Sequence, residues 1–280
     1  MNVQKTTPRL ELLITDPQNS FCHPEDGELY VPGAEKDMER LAALIERLSE
    51  QLAQIHVTLD THHELDVGHP LFWVNKQGDH PEPFTVISKE EVQNGTWQPY
   101  DPDLPSPPYA TLLDRMITYV NKLDEHGRYQ LTIWPPHCRL GTPGHNVAAS
   151  LREALRIWEH THYAVVDYVI KGINIFTEHY SGMQADVPDP EDLSTQLNTG
   201  LLRSLEEADV ILLSGEALSH CVANTVRDLA KNFSAETLRK CVLLKDAMSP
   251  VPGFEQFGED FLQEMTAKGM RIETTTSFSL

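Results

Sequence analysis

Basic charge is scarce in this chain of 280 residues: 22 Lys and Arg stand against 42 Asp and Glu, a formal net charge of −20. Repulsion of that sign opposes nucleic acid and anionic membrane surfaces, so neither is expected as a partner. Long apolar runs are also missing. Nowhere do 18 apolar residues follow one another, which argues against a membrane-spanning helix. The opening MNVQKTTPRLELLITD has no basic segment followed by a long apolar stretch, so no signal peptide is expected there. Cysteine is sparse: Cys22, Cys138, Cys221 and Cys241 are scattered, with no C-x-x-C pair and no disulfide-scaffold density. A reduced, soluble, cytoplasmic protein is the expectation.

What is present is an alternation of strand and helix patterns. LELLIT (10–15) is a continuous apolar run, the mark of a strand buried on both faces. A helical spacing over 35–54 precedes a strand at 55–60. Residues 146–160 read as helix and 163–171 as strand. Residues 190–208 form a capped helical pattern before the strand 209–215. Residues 221–233 are again helical. CVLLKDA (241–247), the helix 261–270 and a last short strand, RIETTT, complete the series. Six strands separated by helices predict an α/β fold of three layers, a mostly parallel six-stranded sheet between two sets of helices. In open sheets of that kind the site forms beyond the carboxyl ends of the strands. Asp16, Asp60, Lys171 and the SGEA turn at 214–217 all end strands, so four distant stretches meet at one rim.

Residues 70–133 break the alternation. Seven of the 28 residues from Pro81 to Pro108 are proline, too many for a core helix or a central strand. Residues 109–127 then read as one amphipathic helix. One domain over 1–280 is expected, with 70–133 an insertion on the active-site side; a surface elaboration and a substrate lid are both open.

Two groups of residues carry chemistry. Cys221 lies where a strand gives way to a helix. To be mostly thiolate at neutral pH it would need its pKa, ordinarily about 8.5, lowered by about 2, which is about 2.7 kcal/mol. A helix N-terminus supplies about 0.3–1 kcal/mol, so a cation such as Lys171 is wanted as well. Asp16 would oppose the shift when ionised, yet could take the thiol proton itself. Taken singly, each residue has an ordinary reading: a small buried cysteine, a capping aspartate, a solvated lysine. The second group is LDTHHELDVGH (59–69). Asp60 and His62 stand two apart on an extended strand end and so point to the same side. With His137 as third ligand and His69 as fourth they suit Zn, Fe or Mn, zinc being favoured. Such runs are also often merely solvated. Cys22, Cys138 and Cys241 read as core residues; His63, His80 and His145 read as surface.

The segments TDPQNSF (15–21), LDTH (59–62), WPPHCRLGTPG (134–144), KGINIFTEHYSG (171–182) and SGEALSHCV (214–222) occur in the order seen in one known group. Over about 10–250 the chain resembles the nicotinamidase branch of the isochorismatase-like cysteine hydrolases. The resemblance implies that fold and hydrolysis of a small carboxamide, most simply nicotinamide to nicotinate and ammonia. It implies Cys221 as nucleophile, Asp16 as general base or acid and Lys171 as electrostatic partner. Asp60, His62 and His137 match its metal ligands, with His69 near an additional one. Phe21 and Trp134 match the residues that sandwich the substrate ring, and Tyr180 a further pocket residue. A cis peptide would join Glu216 to Ala217, and the N–H groups of Ala217 and Cys221 would form the oxyanion hole. A homo-oligomer is allowed. Glu216, Leu218, His220 and DTHH depart from the usual pattern. Glu216, Leu218 and the insertion motivate one alternative, an amidase for another small amide or imide; a non-catalytic metal-binding relative is another.

Overall fold

A computed structural model describes residues 8–126 and 129–280. Six strands, β1 (Leu10–Thr15), β2 (Leu52–Asp60), β3 (Asp167–Lys171), β4 (Val210–Gly215), β5 (Cys241–Leu244) and β6 (Arg271–Glu273), form one sheet in the order β6-β5-β4-β1-β2-β3. Every pairing in it is parallel. The chain enters at the centre, runs outward through β2 and β3, then returns to the other side of β1. The strand order therefore reverses at β1, and the crevice beyond its carboxyl end is where such sheets hold ligands.

Alternation along the strands sets the layers. Leu10, Leu12 and Ile14 of β1 point to one face. There they meet Met38 and Leu41 of α1 (Ala34–Leu48) and Leu151, Leu155 and Trp158 of α3 (Ala149–His162). Leu13 points to the other face with Ile211 and Leu213. These pack under Leu205 of α4 (Thr199–Glu207), Val226 and Leu229 of α5 (Ala223–Asn232) and Phe261 of α6 (Glu255–Ala267). Among the described residues no helix is long and apolar enough to cross a membrane.

Several boundaries differ from the sequence reading. The helix expected over 35–54 ends at Leu48, and β2 begins at Leu52, because Leu52 and Ile55 satisfy either period. The strand expected from 163 starts at Asp167; Tyr163 instead closes α3 in a left-handed conformation, φ 50°. The pattern at 190–208 divides into a short 3-10 turn, Leu193–Thr195, and α4. Cys221 is not the first helical residue: it lies inside a π turn, Leu218–Val222, that runs into α5. The helix of the insertion, α2, spans Leu112–His126; Gly127, its expected last residue, lies outside the described residues, as do 1–7.

The 70–133 segment has an apolar cluster of its own, built on Phe72, Trp73, Ile87, Val92, Leu112, Met116 and Val120. It includes Val187, from the loop after β3, and Arg115 of α2 pairs with Asp189 of that loop. The insertion is thereby fixed to the carboxyl end of the sheet.

Glu11 shows what the apolar run concealed. Its buried carboxylate takes Arg9 on one oxygen, at 2.7 Å, and His56 Nε2 on the other, at 3.1 Å. His56 Nδ1 meets Asp167 at 2.7 Å. Burial disfavours the imidazolium, but the two carboxylates outweigh it and raise the His56 pKa above the ordinary value. A raised histidine stabilises the fold fully below its unfolded pKa and loses that contribution as pH climbs through the folded one. The thermal midpoint of the wild type is therefore expected to fall, relative to His56→Gln, as pH rises above the usual histidine range. Parallel pH profiles in thermal melts would contradict this.

Candidate active site

Strand register assembles the site. Asp60, last in β2, pairs with Lys171, last in β3, and Thr15, last in β1, pairs with Gly215, last in β4. Gly215 has φ 113°, and a Cβ there would lie 2.0 Å from the Thr15 carbonyl oxygen, so only glycine lets the two strand ends approach. Asp16 follows at φ 42°, an uncommon left-handed conformation for a non-glycine residue. It is held by its N–H bond to Thr58 Oγ1 (3.0 Å) and by a 2.5 Å bond from that hydroxyl to its Oδ1.

Lys171 is the hub. Its side chain is fully buried, and Nζ lies 2.9 Å from Asp16 Oδ2, 2.8 Å from Asp60 Oδ1 and 2.8 Å from the His179 carbonyl oxygen. Cys221 Sγ is 3.8 Å away. Three strand ends and the turn after β4 thus place an ammonium, two carboxylates and a sulfur in one desolvated group. Burial would strip the ammonium of its charge, but Asp16 and Asp60 hold the Lys171 pKa well above its usual value. Burial raises Asp16, with Lys171 opposing and Asp60 adding. Burial also raises Cys221 well above the ordinary thiol value; Lys171 pulls it down, and Asp16 and Asp60 push it further up. The lowering that a resting thiolate would need is not supplied, which leaves the other route, transfer of the thiol proton to Asp16. The one cation is shared by two carboxylates, and the π turn keeps Cys221 off a helix N-terminus. Burial and the carboxylates favour a thiol that keeps its proton at rest.

Beside it lies the histidine group. One ring nitrogen each of His62, His69 and His137 falls within 4.8 Å of the others. Asp60 Oδ2 adjoins them, 3.0 Å from His62 Nε2 and 3.4 Å from His137 Nε2. The outward nitrogens face oxygen atoms: His62 Nδ1 lies 3.0 Å from the Asp66 carboxylate, His69 Nδ1 3.1 Å from the His63 carbonyl and His137 Nδ1 2.9 Å from the Pro135 carbonyl. Each contact turns the other nitrogen inward, the arrangement that orients imidazole ligands. His69 Nε2 is buried with no hydrogen-bond partner, as a ligand atom would be, and burial followed by its two neighbouring histidines lowers the ring to about 2, so it is neutral. The donor set fits a divalent transition-metal ion.

The aromatic residues divide. Trp134 Nε1 donates to Tyr180 Oη at 2.8 Å, and both rings pack near His220, at 5.3 and 5.7 Å. Tyr129 stacks on His220 at 5.0 Å, and Phe254 meets it edge-on at 4.8 Å. Phe21 stands apart from this group, against His137 at 5.4 Å. Tyr180 also walls a cavity of about 300 Å³ with Tyr119, Tyr129, Gln130, Glu178 and Asp186. The Glu216–Ala217 peptide is cis, and Ala217 opens the turn that carries Cys221.

No family model matches the chain. It is 29% identical over 221 residues to the nicotinamidase/pyrazinamidase of Mycobacterium tuberculosis, covering 79% of this chain and 78% of that protein. Yeast nicotinamidase bound to the inhibitor nicotinaldehyde superposes with a TM-score of 0.64 at 18% identity, over 95% of this chain and 99% of that one. Pyrococcus horikoshii pyrazinamidase in complex with zinc gives 0.56 at 20% identity, again over 95% and 99%. The chain is nicotinamidase-like in sequence and in fold.

Within this site, several contributors were not singled out from sequence. Thr58 orients Asp16, Asp66 orients His62, and the His179 carbonyl caps Lys171. Burial and the neighbouring ammonium lower His179 to about 3, so its neutral Nδ1 can accept from Gly172 N–H at 3.3 Å. Asp66 had a signal, standing four residues after His62 inside the histidine run; Thr58 and His179 had none. His63 and His80 are exposed, as expected, whereas His145 is half-buried with Nε2 2.8 Å from Thr61 Oγ1. Cys22, Cys138 and Cys241 are buried, as core thiols are.

Proposed function

We propose that this chain is a cysteine-dependent amidohydrolase converting nicotinamide and water to nicotinate and ammonia. The observation that carries the reading is the buried contact of Lys171 with Asp16, Asp60 and Cys221 at the switch point of the sheet. Cys221 Sγ attacks the amide carbon as its proton passes to Asp16, whose raised pKa suits a group that must both accept and return a proton. Because the thiol is neutral at rest, charge develops only as the bond forms, beside the Lys171 ammonium. The N–H groups of Ala217 and Cys221 would receive the oxyanion; one such donor is worth about 10²–10³ in rate. Asp16 returns the proton to the departing ammonia, leaving a thioester at Cys221. It then takes a proton from water, whose oxygen adds to the thioester carbon, and returns that proton to the departing sulfur; the acid released ionises to nicotinate.

His62, His69, His137 and Asp60 would hold the metal, for which zinc suits three imidazoles and a carboxylate. When bound, that ion would supply an electrophilic anchor for a ring nitrogen or a water. Trp134 and Tyr180, packed around His220, the residue before Cys221, support a flat heteroaromatic ring as substrate, with Phe21 on the metal side. The insertion, through Tyr129, would act as a wall of that pocket.

Ammonia release should be assayed from nicotinamide, pyrazinamide, maleamate and carbamoylated amines with zinc, iron or manganese supplied. Release from nicotinamide is expected to exceed that from the aliphatic amides. Turnover of maleamate without turnover of nicotinamide would transfer the site to another amidase. No turnover of any would refute catalysis.

A further inference from the structure

Glu216 is fully buried, directly before Ala217 in the chain. The titratable groups that act on it are acidic, Asp37 and Glu35 on α1, with the Cys22 thiol alongside. Arg40, the cation paired with Asp37 at 2.8 Å, is itself half-exposed. Glu216 Oε2 accepts from Ser249 N–H at 3.2 Å, while Oε1 meets no donor. Ser249 brings a second carboxyl alongside: its hydroxyl donates to Asp37 at 2.6 Å while its N–H holds Glu216. Two facing carboxyl groups bond only when one keeps its proton. A proton on Glu216, given to Asp37, satisfies both. Burial, with Asp37 next, raises Glu216 well above the usual range, in the same sense.

The clamp closes on the turn. Ser249 N–H holds the side chain of Glu216, and the Ser249 carbonyl oxygen accepts from Leu218 N–H at 2.9 Å. One residue thus grips both neighbours of Ala217 and fixes the plane of the peptide whose N–H would face the oxyanion. We propose that Glu216 is a positioning residue for this turn, its protonated carboxyl bridging Asp37 and Ser249, and that turnover falls when the proton is lost. Ionised, it would set two carboxylates against each other with only Arg40 between them and water, and the turn would loosen. The kinetic part of this inference rests on the amidase reading; the state of the acid pair does not.

The test compares wild type with Glu216→Leu and Glu216→Gln. Leucine removes both bonds and is expected to lower kcat by about 10²–10³, the worth of a well-placed donor, with KM little changed. Glutamine keeps a donor for Asp37 and an acceptor for Ser249 but cannot ionise. It is expected to recover most of the lost kcat and to lack the alkaline fall in kcat shown by wild type. An alkaline limb that is identical in Glu216→Gln, or a leucine variant with lowered thermal midpoint and full kcat, would overturn the proposal. Without any substrate, the infrared difference spectrum of wild type minus Glu216→Gln should contain the carbonyl band of a protonated carboxylic acid at pH 8. Its absence would overturn the proposal even in an active enzyme. Its presence in a wild type that releases no ammonia would refute the amidase function and leave the acid pair standing.

Discussion

Cys221→Ala is expected to lower ammonia release from nicotinamide by roughly 10⁵–10⁶, the scale on which a preorganised site loses its nucleophile. Metal content per chain should not change, because the sulfur belongs to the Lys171 group and not to the histidine group. Folding should survive as well. The thiol is neutral at rest, so its removal strands no charge, and alanine leaves a gap of only one atom. Steady-state ammonia release and metal analysis of the purified variant check both halves. A variant that retains more than a trace of activity would remove Cys221 from the chemistry.

Lys171→Met is expected to be the most damaging substitution to the fold itself. The lysine side chain is fully buried between Asp16 and Asp60, and the variant leaves those carboxylates facing one another without a cation. Breaking a buried pair from one side typically costs about 3–5 kcal/mol. The sign for catalysis follows from the same charges. Lys171 is what holds Asp16 down against burial and against Asp60. Without it the carboxyl keeps its proton to higher pH and cannot accept the thiol proton. The acid limb of kcat should therefore move upward in pH, with kcat at neutral pH reduced by at least about 10². Denaturant unfolding together with a pH–rate profile checks this. Unchanged stability with an unmoved acid limb would mean that the ammonium neither holds the pair together nor tunes the base.

The parts of this molecule that were legible in sequence are those fixed by local pattern. LELLIT and VILLSG announce central strands because a strand covered on both faces has no polar side to show. Asp16, Asp60 and Lys171 could be assigned to one rim because each ends such a strand, and a parallel sheet brings all strand ends of one polarity together. His69 stood out only as one histidine among several; its inward Nε2 depends on a carbonyl six residues away. Glu11 was hidden, since its partner His56 is brought beside it by sheet pairing and not by spacing. The protonation of Cys221 was left open for the same reason. Sequence places a lysine near the thiol but does not show that burial and two carboxylates outweigh it. The insertion resisted because short strands and proline-rich turns carry no period, although its core around Phe72 and Trp73 is as dry as the main one.

The most direct test is chemical capture of the intermediate. Wild-type protein mixed with ring-labelled nicotinamide, quenched in acid within the first turnovers and digested, should carry the label on the single peptide that contains Cys221. The label should be lost on treatment with hydroxylamine, as a thioester requires. Label on a peptide holding Cys22, Cys138 or Cys241, or rapid turnover with no label on Cys221 at any quench time, would contradict the mechanism.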